Sequence, residues 1–325
     1  VMSYKLLIDG QLVEGSQSLP VINPATGKVF ATCARANEAQ ALDAIAAAKR
    51  AFGPWSALSH ADRQRHLDAF ADGIEDRQAE FTDLLTKEQG KPLAEAGYEV
   101  AGSIAILRHF AGVELPLKTL RESAEGKILE QHVPLGVVAA ITPWNFPLSI
   151  LMLKVGPCLS TGNTMVAKPA PTTPLTTALL GEIAVETLPA GVFNVIIDDN
   201  DLGPLLSAHP DIAKVSFTGS TATGRRVMES AAGTLKRLTL ELGGNDAAII
   251  LDDVDPKAIA PRIFSAATFN AGQVCLAAKR IYAPRASYDA LCEELAMLAR
   301  SAVVDDGMNP GTQIGPLQNR QQYDK

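Results

Sequence analysis

A cysteine in a glycine-containing turn, Phe269-Asn270-Ala271-Gly272-Gln273-Val274-Cys275, is a candidate nucleophile because two other segments supply what thiol chemistry on a carbonyl requires. As a thiolate, Cys275 can attack a carbonyl carbon, and nearby backbone N–H groups or positive charge favour that ionised form. Attack places negative charge on the carbonyl oxygen, and Thr142-Pro143-Trp144-Asn145-Phe146-Pro147 offers a side-chain amide donor between two stiffening prolines. A water-activating base completes the set, and Leu240-Glu241-Leu242-Gly243-Gly244-Asn245 offers a carboxylate at a strand end before two flexible glycines. Each residue also has a plainer reading. Cys275 could be a buried structural thiol, Asn145 the cap of a helix starting near Pro147, and Glu241 a solvated strand-end carboxylate.

The elements that must position these residues are legible as pattern. Asp9-Gly10 predicts a tight hairpin over Leu6 to Val13. Asn37 with Gln40 forms a capping box for a helix over Glu38 to Phe52, and Ser59 caps a second through about Arg77. Pro92 opens a third, to about Phe110, with Ile104, Ile106, Leu107 and Phe110 on its apolar face. From Gly136 onward, apolar strands alternate with helices: Val137 to Ile141, Thr164 to Lys168, Val192 to Ile197, Lys214 to Phe217 and Arg237 to Leu240. That alternation predicts an α/β fold with a parallel, doubly wound sheet covered on both faces. After Gly244 a second α/β pattern begins, with strands at Asp246 to Leu251 and Arg280 to Ala283 and helices at Ala258 to Asn270 and Tyr288 to Ala302.

Bulk properties exclude several classes. The 325 residues carry 47% hydrophobic content and a net charge of -7, which suits a globular protein and argues against a nucleic-acid partner. No apolar run reaches a membrane span, and the N-terminus lacks a signal-peptide pattern, so the cytoplasm is expected; Val1 before Met2 reads as a cloning remnant. Cys33, Cys158 and Cys292 read as small buried hydrophobes, with no CxxC pair for a metal or disulfide framework. His60 and His66 fall on a polar helix expected to be solvated, and no metal is expected.

With Phe217-Thr218-Gly219-Ser220 between the Asn145 and Glu241 motifs, the order of segments resembles the aldehyde dehydrogenase superfamily from about Leu6 to Leu317. The resemblance implies oxidation of an aldehyde to a carboxylate with NAD or NADP, NAD slightly favoured, through a thioester on Cys275. It implies an NAD(P)-binding domain over 1–113 and 136–243, an oligomerisation arm over 114–135 and a partial catalytic domain over 244–325, with self-association to a dimer or tetramer. By the same resemblance the Asn145 amide and the Cys275 N–H form an oxyanion hole, and Lys154 relays protons with Glu241, although Lys154 alone reads as a surface lysine. Cofactor positions are Ile141, Thr142, Pro143, Trp144, Lys168, Pro171, Gly203, Phe217, Gly219, Ser220 and Leu242, with Lys168 toward the adenosine ribose and the helix after Ser220 toward the pyrophosphate. Two departures leave NAD against NADP open: Pro171 stands where many NAD-preferring relatives carry glutamate, and Asp198-Asp199-Asn200 replaces a glycine-rich turn. Leu148, Ile150, Leu153, Phe269, Val274 and Leu276 are the implied substrate pocket, each of which could equally be core. Leucine at 153, where succinate-semialdehyde enzymes carry arginine, implies an uncharged aliphatic or aromatic aldehyde. Gly315-Pro316-Leu317-Gln318-Asn319 resembles a point inside the catalytic domain, implying about two thirds of the usual architecture, without the later glutamate that holds the nicotinamide ribose. A CoA-acylating relative and a non-catalytic nucleotide-binding remnant are the alternatives; the presence of Glu241 speaks against the first.

Overall fold

A computed structural model describes residues 3–324, so the Val1-Met2 reading lies outside the described residues. Strand β1 (Ser3–Tyr4) leads into the hairpin of β2 (Leu6–Ile8) and β3 (Gln11–Val13), where Asp9 (φ 52°) and Gly10 (φ 73°) make the two-residue turn. Next come β4 (Gln17–Asn23) and β5 (Lys28–Arg35), antiparallel strands that form a three-stranded sheet with β1. Sequence reasoning did not anticipate them, because Pro20 inside β4 argues against a strand; the proline is tolerated on an edge that pairs only with β5.

Four helices follow. The expected capping box opens α1 (Glu38–Ala57), which runs five residues past Phe52 and through Pro54, and Ser59 caps α2 (His60–Asp76). A short helix not singled out from the sequence, α3 (Gln78–Gln89), ends at Gly90 in the left-handed region, and Pro92 caps rather than enters α4 (Leu93–Ala111). His60 and His66 are half-buried rather than solvated, donating from Nε2 and Nδ1 to Val113 O and Thr187 O at 2.8 Å each.

An exposed hairpin of β6 (Lys118–Ser123) and β7 (Gly126–Glu130) separates this part from the sheet-forming alternation. That alternation comprises β8 (Val137–Ile141), α5 (Pro147–Ser160), β9 (Thr164–Lys168), α6 (Leu175–Thr187), β10 (Phe193–Val195), α7 (Gly203–Ala208), β11 (Ile212–Thr218), α8 (Thr221–Ala231) and β12 (Arg237–Glu241). The seven-stranded sheet has the order β12-β11-β8-β9-β10-β2-β3; its first five strands are parallel, and the β2–β3 hairpin closes one edge antiparallel. Every residue of β8 and β9 is buried, as expected for strands covered on both faces. Helices α5 and α6 pack on one face, with α2, α3 and α4 over them, while α1 and α7 take the other. β10 covers only Phe193–Val195 of the expected Val192 to Ile197.

A second, smaller α/β unit pairs β13 (Asp246–Ile249) and β14 (Ala278–Tyr282) in parallel beside α9 (Pro256–Thr268) and α10 (Arg285–Ser301). Its core is small: Ala260, Ile263 and Leu291 are the buried residues at its centre. Cys33 and Cys158 are buried as expected, and burial pushes the Cys33 thiol up to about 12, whereas Cys292 is exposed because only one face of α10 packs on α9. Among the described residues no helix is long and apolar enough to cross a membrane.

Candidate active site

The loop before Cys275 is held in a costly conformation. Asn270 (φ 52°), Ala271 (φ 56°) and Gly272 (φ 75°) are three successive left-handed residues, and alanine has no local hydrogen bond to offset that state. The loop persists because its polar groups are pinned. Gln273 donates from its backbone N and from Nε2 to Asn270 O at 3.0 and 2.9 Å, and its Oε1 accepts from Gln318 N at 2.9 Å. Asn270 N donates to Glu95 Oε2 on α4 at 3.0 Å. Cys275 itself is partly exposed at the end of this loop.

Asn145 is brought directly against that loop. Its Nδ2 donates to Gln273 O at 2.8 Å, which uses one of the two donors of the amide, and its backbone O accepts from Asn270 Nδ2 at 3.0 Å. It does not cap α5: the cap position is Phe146, with no side-chain hydrogen bond. Glu99 does that work from α4, its Oε1 accepting from Leu148 N and Ser149 N at 3.0 and 3.1 Å, where negative charge suits a helix N-terminus. The other Glu99 oxygen pairs with Lys91, and both side chains are fully buried. Lys91 Nζ also donates to Asn145 O at 3.0 Å and lies 3.9 Å over the Phe146 ring. Burial pulls the Lys91 ammonium below its usual range, and Glu99 opposes that fall. Sequence reasoning missed Lys91, Glu95 and Glu99, since nothing local distinguishes them from surface helix charges.

Glu241 closes the edge strand β12, exposed, with its backbone O accepting from Gly219 N at 3.0 Å. Two residues beyond Leu242, a Cβ on Gly244 would lie 2.3 Å from Cys275 O, so only glycine lets the carboxylate-bearing segment lie against the cysteine. Lys154 is buried rather than on the surface, donating to Ser216 Oγ at 3.1 Å and Thr218 Oγ1 at 2.8 Å. Burial lowers its pKa to about 8, while the Glu241 charge acts in the opposite sense.

The expected cofactor positions gather at the carboxyl ends of the parallel strands. Ile141 ends β8 and Thr142 follows it, Lys168 ends β9, Phe217 and Gly219 lie at the end of β11, and Leu242 follows β12. Pro143, Trp144, Pro171 and Gly203 lie on adjoining loops and the start of α7. Thr142 Oγ1 is buried without a hydrogen-bond partner, and Ser220 caps α8, whose N-terminal N–H groups emerge at the same edge. An orphaned hydroxyl beside a helix N-terminus, in the crevice where β8 and β11 diverge in connection, fits a dinucleotide phosphate. Asn200, in the segment that replaces the glycine-rich turn, takes the left-handed conformation (φ 63°).

An open cleft of about 610 Å³ lies beside the cysteine loop, lined by Phe269, Val274, Leu276 and Ala277 with Pro261, Arg262, Ser265 and Ala266 of α9. Three of the six expected pocket residues line it. Leu148 instead sits fully buried in the main core, and Ile150 and Leu153 lie on α5, with Leu153 half exposed. The α9 residues were missed because one sequence does not show which helix face meets the loop.

The carboxyl edge of a doubly wound sheet in an α/β fold thus gathers a thiol loop, an amide loop and a carboxylate-bearing segment. The family model described as "Aldehyde dehydrogenase family" matches residues 12–325, and the chain belongs to that family. A Pseudomonas sp protein named "Probable aldehyde dehydrogenase" is 42% identical over 323 residues, covering 99% of this chain and 66% of its own. The NAD+ complex structure of aldehyde dehydrogenase from Bacillus cereus superposes with a TM-score of 0.96 at 34% identity, over 99% of this chain and 68% of that one. An E. coli NADP-dependent enzyme superposes with a TM-score of 0.95 at 36% identity, over 98% and 68%. The chain thus spans about two thirds of the length of these relatives.

Proposed function

We propose that these residues belong to an enzyme that oxidises an uncharged aliphatic or aromatic aldehyde to its carboxylate with NAD or NADP, through a thioester on Cys275. The observation that carries this reading is the meeting of three segments distant in sequence. Asn145 is hydrogen-bonded to Gln273 beside Cys275, and Gly244, three residues after Glu241, packs on the Cys275 carbonyl. Cys275 Sγ attacks the aldehyde carbon, and the second Asn145 N–H with the Cys275 backbone N–H stabilises the oxyanion, each such donor contributing roughly 3 to 4 kcal/mol. When bound, the dinucleotide supplies the hydride acceptor that leaves an acyl group on the sulfur. Thr142, Lys168 and the N-terminus of α8 would hold it. Glu241 takes a proton from the water that releases the acid, and buried Lys154 sets the charge around it.

The apolar cleft supports an uncharged substrate. Phe269, Val274 and Leu276 line it, and Arg262, exposed, is the one cation among its lining residues. The exposed β6–β7 hairpin is proposed as the arm that meets a second copy of the chain. NADH formation across an aldehyde panel, with and without CoA, tests the reaction. Turnover of neutral aldehydes independent of CoA is expected, and strict dependence on CoA would overturn the hydrolytic step.

A further inference from the structure

Lys168 and Asp198 form a second buried ion pair, at the far end of the same crevice. Lys168 Nζ lies 2.5 Å from Asp198 Oδ1, and the two side chains are 4% and 0% exposed. The second Asp198 oxygen accepts from Leu202 N at 2.8 Å, and Lys168 Nζ also donates to Pro169 O at 3.4 Å. In a doubly wound sheet, the end of the second strand of the first βαβ unit faces the adenosine ribose. An acid there accepts from the 2′-hydroxyl, and a cation nearby accommodates a 2′-phosphate. Strands β8 and β9 are the first and second strands of such a unit, so Lys168 stands at that place. Alone, its charge would welcome a 2′-phosphate.

It is not alone. Asp198 neutralises it from the loop after β10, and Asp199 and Asp201 stand beyond, 3.9 and 2.9 Å from Arg35. The three acids outnumber the two bases. Moving Lys168 toward a phosphate would strand a buried Asp198 charge, and the phosphate itself would face that carboxylate. An ammonium has three donors; Asp198 and Pro169 take two, and the third can donate to a neutral ribose oxygen. Resting on the dinucleotide reading above, we infer that Asp198 is a specificity-determining residue: by holding Lys168 in a buried pair it withholds that charge from a 2′-phosphate, so the chain binds NAD in preference to NADP although Pro171 supplies no carboxylate.

Calorimetric titration of the 325-residue chain with NAD and NADP tests this, beside Asp198→Asn, which removes the charge and keeps an acceptor for Leu202 N. The parent should bind NAD at least about tenfold tighter, and the variant should narrow that ratio about tenfold, chiefly by gaining NADP affinity. An unchanged ratio in a variant with the parent's circular dichroism overturns the inference. Should the variant not fold, the parent decides through fragments. Adenosine 2′,5′-bisphosphate binding as tightly as adenosine 5′-monophosphate overturns the inference, and clearly weaker binding supports it. If no nucleotide binds, the dinucleotide reading fails and carries this inference with it; binding without discrimination sinks this inference alone.

Discussion

At the scale of single residues, the reading stands on one sulfur, one carboxylate and one buried ammonium. In the proposed reaction the thiol forms the covalent adduct but adds little to nucleotide binding, so Cys275→Ala should abolish aldehyde turnover while dinucleotide affinity by calorimetry stays within about twofold. Residual turnover above a few per cent would assign the chemistry elsewhere. On the proposed reaction Glu241 activates the water that attacks the thioester after oxidation, so Glu241→Gln should permit a burst of NADH followed by slow steady turnover in stopped-flow assays; loss of the burst would place Glu241 earlier. Lys154 offers a test by pH. Its folded pKa is about 8 against a usual 10.5, so between these values the unfolded chain holds more protons than the folded one, and stability rises with pH through that window. The penalty is fully present below about 8 and amounts to roughly 3 kcal/mol. Urea unfolding of Lys154→Met should therefore show a smaller rise from pH 8 to 10.5 than the parent; equal slopes would mean the ammonium is not depressed.

At the scale of elements, α4 is the scaffold from which the site is held. Glu99 caps α5 and neutralises Lys91, and Lys91 grips the carbonyl of Asn145. Glu99→Ala leaves a buried unpaired ammonium and should lower stability by about 3 to 5 kcal/mol. Glu99→Gln, still able to accept from Leu148 N and Ser149 N, should regain part of that. If the pair positions the oxyanion donor, kcat of the Gln variant should fall more than its KM rises; unchanged kcat would confine Glu99 to a structural role. These partners lie 49 and 54 positions apart in the chain, which is why no local pattern revealed them. The strands and caps were legible because their signals are local: Asn37 with Gln40, Asp9-Gly10, and the apolar runs of β8 and β9.

At the scale of the whole molecule, the β6–β7 hairpin stands apart. All six residues of β6 are exposed, and Leu120, Ile128 and Leu129 are each at least half exposed. A lone two-stranded hairpin is marginal in water, so this one needs a surface to lie against, and a second copy is the expected one. Light scattering should show concentration-dependent association, which Leu120→Lys with Ile128→Lys should weaken at least tenfold; identical association would remove the arm from the interface.

The sequence by itself determined the chemistry on offer and the order of elements. A thiol, an amide and a carboxylate were named with the strand ends and turns that carry them, because residue type and short-range periodicity decide those. The tertiary structure decided which side chains were to be coupled. It buried Lys154 against β11, placed Leu148 in the main core, exposed Cys292, and set Lys91, Glu99, Lys168 and Asp198 into buried pairs. Burial and partnership depend on what arrives from distant parts of the chain, and a charge that is unremarkable in solvent becomes decisive once the fold removes the solvent around it.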